Sequence, residues 1–154
     1  MVPVLQVEDL RVHFVLDEGT VRAVDGVTFS LEPGKTLGIV GESGSGKSVI
    51  GQSILRIVPP PGRIVQGKIL LRSGNHHGDP NQLDLVTLDP HSPEARRIRG
   101  HDVAMIFQEP MNSFSPVHTV GSQIIEALRI HTDVSQEEAR NRAIEMLGKV
   151  GIPQ

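Results

Sequence analysis

Residues 41–48 read Gly-Glu-Ser-Gly-Ser-Gly-Lys-Ser and satisfy the spacing G-x-x-x-x-G-K-[ST]. Gly41, Gly44 and Gly46 permit backbone conformations closed to other residues, so that successive amides can converge on phosphate oxygens. A helix starting near Lys47 would add the positive end of its dipole to that nest. Lys47 would reach β and γ phosphates as a point charge, and the Ser48 hydroxyl would ligate a Mg²⁺ ion bridging them. The chemistry is the holding of a polyphosphate tail. The plainer alternative is a glycine-rich turn that binds nothing, and the flanking elements decide between the two.

Those elements have the order the motif needs. Thr36 to Val40 is a continuous apolar run bounded by glycine, which predicts a strand buried on both faces. Val49, Ile50, Ile54, Leu55, Ile57 and Val58 recur at helical spacing, predicting a helix from Ser48 to Val58 that the prolines at 59–61 terminate. Residues 4–16 and 21–34 alternate around turn chemistry at Asp17, Glu18 and Gly19, which predicts an antiparallel hairpin or meander. Residues 64–72 predict another strand, 73–95 an exposed Gly/Pro/Asn/Asp-rich excursion, and Val103 to Phe107 a second buried strand. Beyond a polar loop at 110–119, Ile124, Ile125, Ala127 and Leu128 predict a short helix. Ser135 and Glu138 have capping-box spacing for a further helix whose inner face would carry Ala139, Ala143, Ile144 and Leu147, stopping at Gly148 or Gly151.

Composition excludes several other functions. The 154 residues contain no cysteine, which removes disulfide frameworks and thiolate metal sites. Fifteen Lys+Arg against 18 Asp+Glu give a net charge of −3, and four Phe are the only aromatic residues, so neither nucleic acid nor a base-stacking surface is expected. The amino-terminal residues do not resemble a secretory signal, and no run is long and apolar enough to span a bilayer. His76-His77, His118 and His131 lack the pattern of a metal site and read as loop residues. Arg96, Arg97 and Arg99 read as a solvated basic surface, interspersed as they are with Glu94 and Asp102.

GESGSGKS closely resembles the Walker A segment of ATP-binding cassette (ABC) proteins, and VAMIFQEP at 103–110 resembles the strand and Q-loop of that family. More narrowly, AVDGVTFSLEPGKTLGIVGESGSGKS, RIRGHDVAMIFQEPMNSFSPVHTVGSQIIEAL and LGKVGIP look like the oligopeptide/dipeptide and nickel importer subfamily. The resemblance implies an α/β fold: a P-loop NTPase core at 36–58 and 103–108, an antiparallel β-subdomain at 1–35 and 62–72, and a Q-loop with the start of a helical subdomain at 109–154. It implies ATP and Mg²⁺ as ligands, with nucleotide contacts from Gly41, Glu42, Ser43, Gly44, Ser45, Gly46, Lys47, Ser48 and Val49. Lys47 and Gln108 would be the catalytic residues, and Ser48 and Gln108 the metal-contacting ones. Gln108 matches the glutamine that meets Mg²⁺ and the attacking water and senses the transmembrane partner. Phe14 falls near the place of the aromatic residue that stacks on adenine; its other reading is an inward-facing hairpin residue.

The same resemblance implies a peripheral subunit on the cytoplasmic face of a bacterial or archaeal membrane, reaching the membrane only through permease chains and closing head to tail on a second ATPase subunit. The loop 109–119, with Met111, Phe114 and Pro116, would receive the permease; alternatively Phe114 anchors the loop in its own domain. The family's signature LSGGQ-like segment, Walker B Asp-Glu pair and switch histidine find no match in the sequence. The chain is therefore expected to be the N-terminal portion of a longer, truncated ATPase, not to hydrolyse ATP by itself, and to be poorly stable in isolation. Two other readings remain open: a non-hydrolysing nucleotide-binding module that competes for the permease, and a small-molecule P-loop kinase using Arg96, Arg97 and Arg99 as a lid. The transported solute, peptide or nickel, is not legible.

Overall fold

The computed structural model describes residues 2–72, 82–108 and 114–152, which form two units, Met1–Asp102 and Val103–Gln154. In the first, β1 (Leu5–Leu16) and β2 (Gly19–Leu31) make the expected hairpin, with Leu16 opposite Gly19 across the Asp17-Glu18 turn. Strand β1 pairs on its other edge with β3 (Gly62–Arg72), and β4 (Gln82–Asp84) extends β3, so the sheet order is β2-β1-β3-β4, antiparallel throughout. Val7, Leu10, Val12, Val24, Ile69 and Leu71 are buried from the sheet. Ile50 and Leu55, Leu85, and Ala95 and Ile98 join them from the segments that follow. Each such large side chain contributes about 1.5–3 kcal/mol by leaving water.

Strand β1 is bulged at Glu8–Asp9, where its register shifts against both neighbours. Asp9 takes a left-handed φ of 42°, and its amide donates to Thr28 Oγ1 at 2.9 Å. Its carboxylate accepts from Arg11 Nη2 at 3.1 Å and Gln66 Nε2 at 2.5 Å. Gly67 (φ 104°) passes so close that a Cβ would lie 2.6–2.7 Å from Leu10 Cα and the carbonyls of Glu8 and Asp9, so glycine is required there.

Several sequence expectations are corrected. Residues 36–40 carry no strand pairing, and Val40 is 95% exposed. Of 103–107 only Val103 makes an isolated bridge, and Ile106 is 92% exposed. A doubly buried apolar run becomes a strand only when neighbours complete its ladders, and no described residue does so for 36–40. The helix after the glycine loop, α1 (Lys47–Ile54), stops before the prolines, because Arg56 at φ 57° has already turned the chain. The segment read as an exposed excursion is structured over 82–101: β4 leads into a short 3-10 helix (Leu85–Thr87) and α2 (Pro93–His101), which breaks at Arg99 and Gly100. Its Asp, Ser and Pro are caps rather than loop filler. Asp84 Oδ1 accepts from Ile69 N at 3.2 Å and Val86 N at 3.0 Å, Ser92 caps α2, and Pro93 opens it. Residues 73–81, including His76-His77, lie outside the described residues.

The second unit pairs α3 (Val120–His131) with α4 (Gln136–Lys149). Ser135 Oγ accepts from Glu138 N at 3.2 Å as its spacing predicts. Glu138 turns forward to Arg142 at 2.6 Å, one helical turn on. Ala139 and Ala143 are buried and Leu147 half-buried, but Ile144 is 41% exposed. At about 100° per residue it lies a quarter-turn off the 139–143–147 line. The helix ends through Gly151 at φ 80°, with Ile152 N donating to Leu147 O at 3.0 Å. Among the described residues no helix is long and apolar enough to cross a membrane.

Asp84 is the residue on which the 82–101 segment turns. Asp84→Ala should lower the unfolding free energy by about 1–2 kcal/mol and speed hydrogen exchange at the Ile69 and Val86 amides, whereas Asp84→Asn, which keeps an acceptor, should lose less than half of that. Equal losses for the two variants would show that the cap is not what holds this segment.

Candidate functional site

The glycine loop and α1 meet at Gly46, which occupies the N-cap position in a left-handed conformation (φ 89°, ψ 0°). A Cβ on Gly46 would fall 2.1 Å from the Ala23 carbonyl oxygen of β2, so the loop rests directly on the hairpin's backbone. Gly44 is also left-handed at φ 81°, and a Cβ on Gly41 would lie 2.6 Å from Ser45 Oγ. Gly46 O accepts from Ile50 N at 3.1 Å, but Gly46 has no side chain to cap the amides that follow it in the first turn. Helices α2, α3 and α4 are capped by Ser92, Thr119 and Ser135, so α1 alone among the described α-helices leaves its first-turn N–H groups without a side-chain acceptor. They form the positive end of a dipole with no acid in the first turn.

Lys47 leads that turn and folds back over the loop. Its Nζ donates to Gly41 O at 2.8 Å, Glu42 O at 2.6 Å and Ser45 Oγ at 3.2 Å. All three ammonium donors are thus met by neutral acceptors, which an anion can outcompete because charge-assisted bonds are roughly twice as strong. Locally, Gly41, Glu42, Ser45 and Lys47 share one hydrogen-bonded knot, with Gly46 between Ser45 and Lys47 at the helix start. Ser43, Gly44 and Ser48 stand exposed around it, and Val49 is half-buried behind. The expected strand before the loop is replaced by unpaired chain. For a magnesium ion the donor present is the exposed Ser48 hydroxyl, which fits a hard cation that keeps most of its water and takes only one or two protein oxygens.

Phe14 sits on β1 opposite Gly62, half-buried. A Cβ on Gly62 would meet its Cε1 at 2.6 Å, its Cζ at 2.7 Å and Val58 Cγ1 at 2.7 Å. The missing side chain of Gly62 is what admits the ring. Gln108 belongs to the second unit and is exposed, as is Phe114 at 45%; Met111 and the rest of 109–113 lie outside the described residues.

Two residues matter more than their sequence context suggests. Gln123 accepts from Ser115 N at 2.9 Å and donates to Ser115 O at 3.2 Å and His118 O at 3.0 Å, fastening the loop that precedes α3. A glutamine on a helix face carries no sequence signal for this. Arg99, read as solvated surface, donates to Leu55 O at 3.3 Å and Pro90 O at 2.6 Å and ties α2 to the end of α1. Arg96 and Arg97 are exposed as expected.

The sequence profile described as ABC transporter matches residues 24–154. The chain belongs to the ABC transporter family. It is 45% identical over 150 residues to the oligopeptide transport ATP-binding protein OppD of Bacillus subtilis (strain 168), covering 97% of this chain and 39% of that protein. It is 46% identical over 153 residues to the glutathione import ATP-binding protein GsiA of Shigella flexneri serotype 5b, covering 98% of this chain and 23% of that one. A putative peptide import ATP-binding protein of Brucella abortus (strain 2308) is 45% identical over 151 residues, covering 98% of this chain and 42% of that protein. The importer resemblance read from the sequence is thus borne out, and the chain spans less than half the length of these relatives. The fold matches the dimeric structure of MJ0796, a bacterial ABC transporter cassette, with a TM-score of 0.74 at 22% identity over 94% of this chain and 56% of that one. The α/β cassette fold, with its antiparallel β-subdomain, follows.

The contact between loop and hairpin can be tested within one motif. Gly46→Ala should cost about 3 kcal/mol in urea unfolding, because its Cβ meets fixed backbone. Gly44→Ala, equally left-handed but with open space around it, should cost only about 1 kcal/mol. Indistinguishable costs would remove the Ala23 contact from the account.

Proposed function

We propose that this chain is the nucleotide-holding part of the ATPase subunit of an importer for peptides or a related solute, nickel included, and that its loop at 41–48 binds MgATP. The observation that carries this is the Lys47 ammonium, held by neutral loop acceptors above a helix start with no side-chain cap. The β and γ phosphate oxygens take over those three donors. The amides from Gly44 to Ser48 close on the same oxygens, and the Ser48 hydroxyl holds the cation. Bound Mg²⁺ offsets the charge shared by the β and γ phosphates. Glu42, Ser43 and Val49 border the phosphates, and the half-buried Phe14 ring, backed by Gly62 and Val58, offers its open face to adenine.

In the full-length ATPase Gln108 would be the residue that meets the bound cation and the attacking water, and the loop 109–119 would pass the closure of two such subunits, head to tail, to the permease. Gln123 serves this by keeping residues 115–118 in one shape. The subunit then lies at the cytoplasmic face of the membrane without entering it. The names of the peptide and glutathione import relatives support the importer reading. The kinase reading weakens because Arg99, one third of its candidate lid, is occupied with Leu55 and Pro90. Nothing in the geometry favours the non-hydrolysing competitor.

Lys47→Ala should weaken MgATP binding at least about tenfold by calorimetry while leaving the far-ultraviolet circular dichroism unchanged, since the lost ammonium makes only loop contacts. Unaltered affinity in a folded variant would defeat the assignment of the loop.

A further inference from the structure

A cavity of about 220 Å³ in the first unit, lined by Arg56, Val58, Gly62, Arg63, Ile64 and Pro90, contains none of the Walker A residues. We propose that this cavity is a second anion site, in which the Arg56 guanidinium binds a small oxoanion, phosphate or carboxylate, independently of the nucleotide loop.

Arg56 is placed there by the backbone. It is one of only two non-glycine residues with positive φ (57°) among those described, and it follows Leu55, the C-cap of α1. Its amide donates to Ser53 O at 3.1 Å and the next amide, Ile57 N, to Gln52 O at 2.9 Å. The positive φ and these two amide hydrogen bonds are the Schellman close of α1, and they set where the Arg56 side chain leaves the helix end. The guanidinium itself is short of acceptors among the described residues. Of its five donors, one reaches Leu88 O at a long 3.4 Å, and Nε is shielded from water with no partner. Asp84 is the acid that acts on it, yet Asp84 Oδ1 already accepts the amides of Ile69 and Val86. Burial lowers the Arg56 pKa from its ordinary value and Asp84 only partly opposes this, the mark of a cation short of compensating charge.

An oxoanion supplies what is missing, since two coplanar oxygens match the guanidinium fork. The walls suit it as well. Val58, Ile64 and Pro90 are apolar and lower the local dielectric, strengthening the pairing. Arg99 ties the Pro90 wall to the end of α1, with its guanidinium on Pro90 O and Leu55 O. The volume admits an anion of a few heavy atoms and not a nucleotide. Gly62 and Val58 also back the Phe14 ring, so a ligand here adjoins the support of that residue.

The test follows the Arg56 Nε–Hε cross-peak of the isotope-labelled wild-type protein, assigned by through-bond correlation to its own backbone, during separate titrations with inorganic phosphate and with succinate. A saturable shift with at least one anion, persisting in Lys47→Ala, is expected, and by calorimetry Arg56→Lys should bind that anion at least tenfold more weakly than the wild type. Saturation by phosphate alone identifies a phosphoryl ligand and by succinate alone a carboxylate. A peak that moves with neither anion, or a shift abolished by Lys47→Ala, overturns the proposal. Because the wild-type peak decides it, poor folding of Arg56→Lys leaves the test intact, and failure here leaves the nucleotide loop untouched.

Discussion

The close approach of Gly46 to the Ala23 carbonyl is the constraint on which the site depends. No side chain fits between them, so the residue at the head of α1 must be glycine. A glycine at that position leaves the first-turn amides without the hydroxyl that caps each of α2, α3 and α4. One steric fact thus seats the loop on the hairpin and also leaves an anion-seeking helix terminus open. Lys47 completes the arrangement, its ammonium bound to the loop's own oxygens where a phosphate can displace them.

The sheet beneath has the matching property of stiffness. β1 is paired on both edges, and its bulge is locked by Asp9, Thr28, Gln66 and the bare backbone of Gly67. Arg11 adds ion pairs to Asp9 and Asp25, although such half-exposed pairs contribute little to stability, about 0–1 kcal/mol each. The larger contribution comes from the buried Val7, Leu10, Val12, Val24, Ile69 and Leu71. A rigid β2 is what allows Ala23 to act as a fixed stop for Gly46.

What could be read beforehand divides along physical lines. The hairpin, β3, the glycine loop and the Ser135 cap rest on local rules of alternation, turn chemistry and capping, and they appear where those rules put them. The runs at 36–40 and 103–107 have the composition of buried strands. A strand is a relation between segments, however, and hydropathy cannot report whether a partner is present. The 82–101 segment failed in the opposite direction: Asp84, Ser92 and Pro93 belong equally to loops and to caps, and only the burial of Leu85, Ala95 and Ile98 separates the two. At the site, the glycine loop and the helix start at Lys47 are legible from spacing, whereas the tie of Arg99 to Pro90 and the grip of Gln123 on residues 115–118 depend on geometry that no spacing encodes.

The most direct measurement is a crystal structure of the protein with Mg²⁺ and a non-hydrolysable ATP analogue. The account predicts triphosphate density cradled by residues 41–48, with the Lys47 ammonium drawn from Gly41 O and Glu42 O onto the β and γ phosphates. An ammonium still bonded to those carbonyls, with the analogue bound elsewhere or not at all, would contradict it.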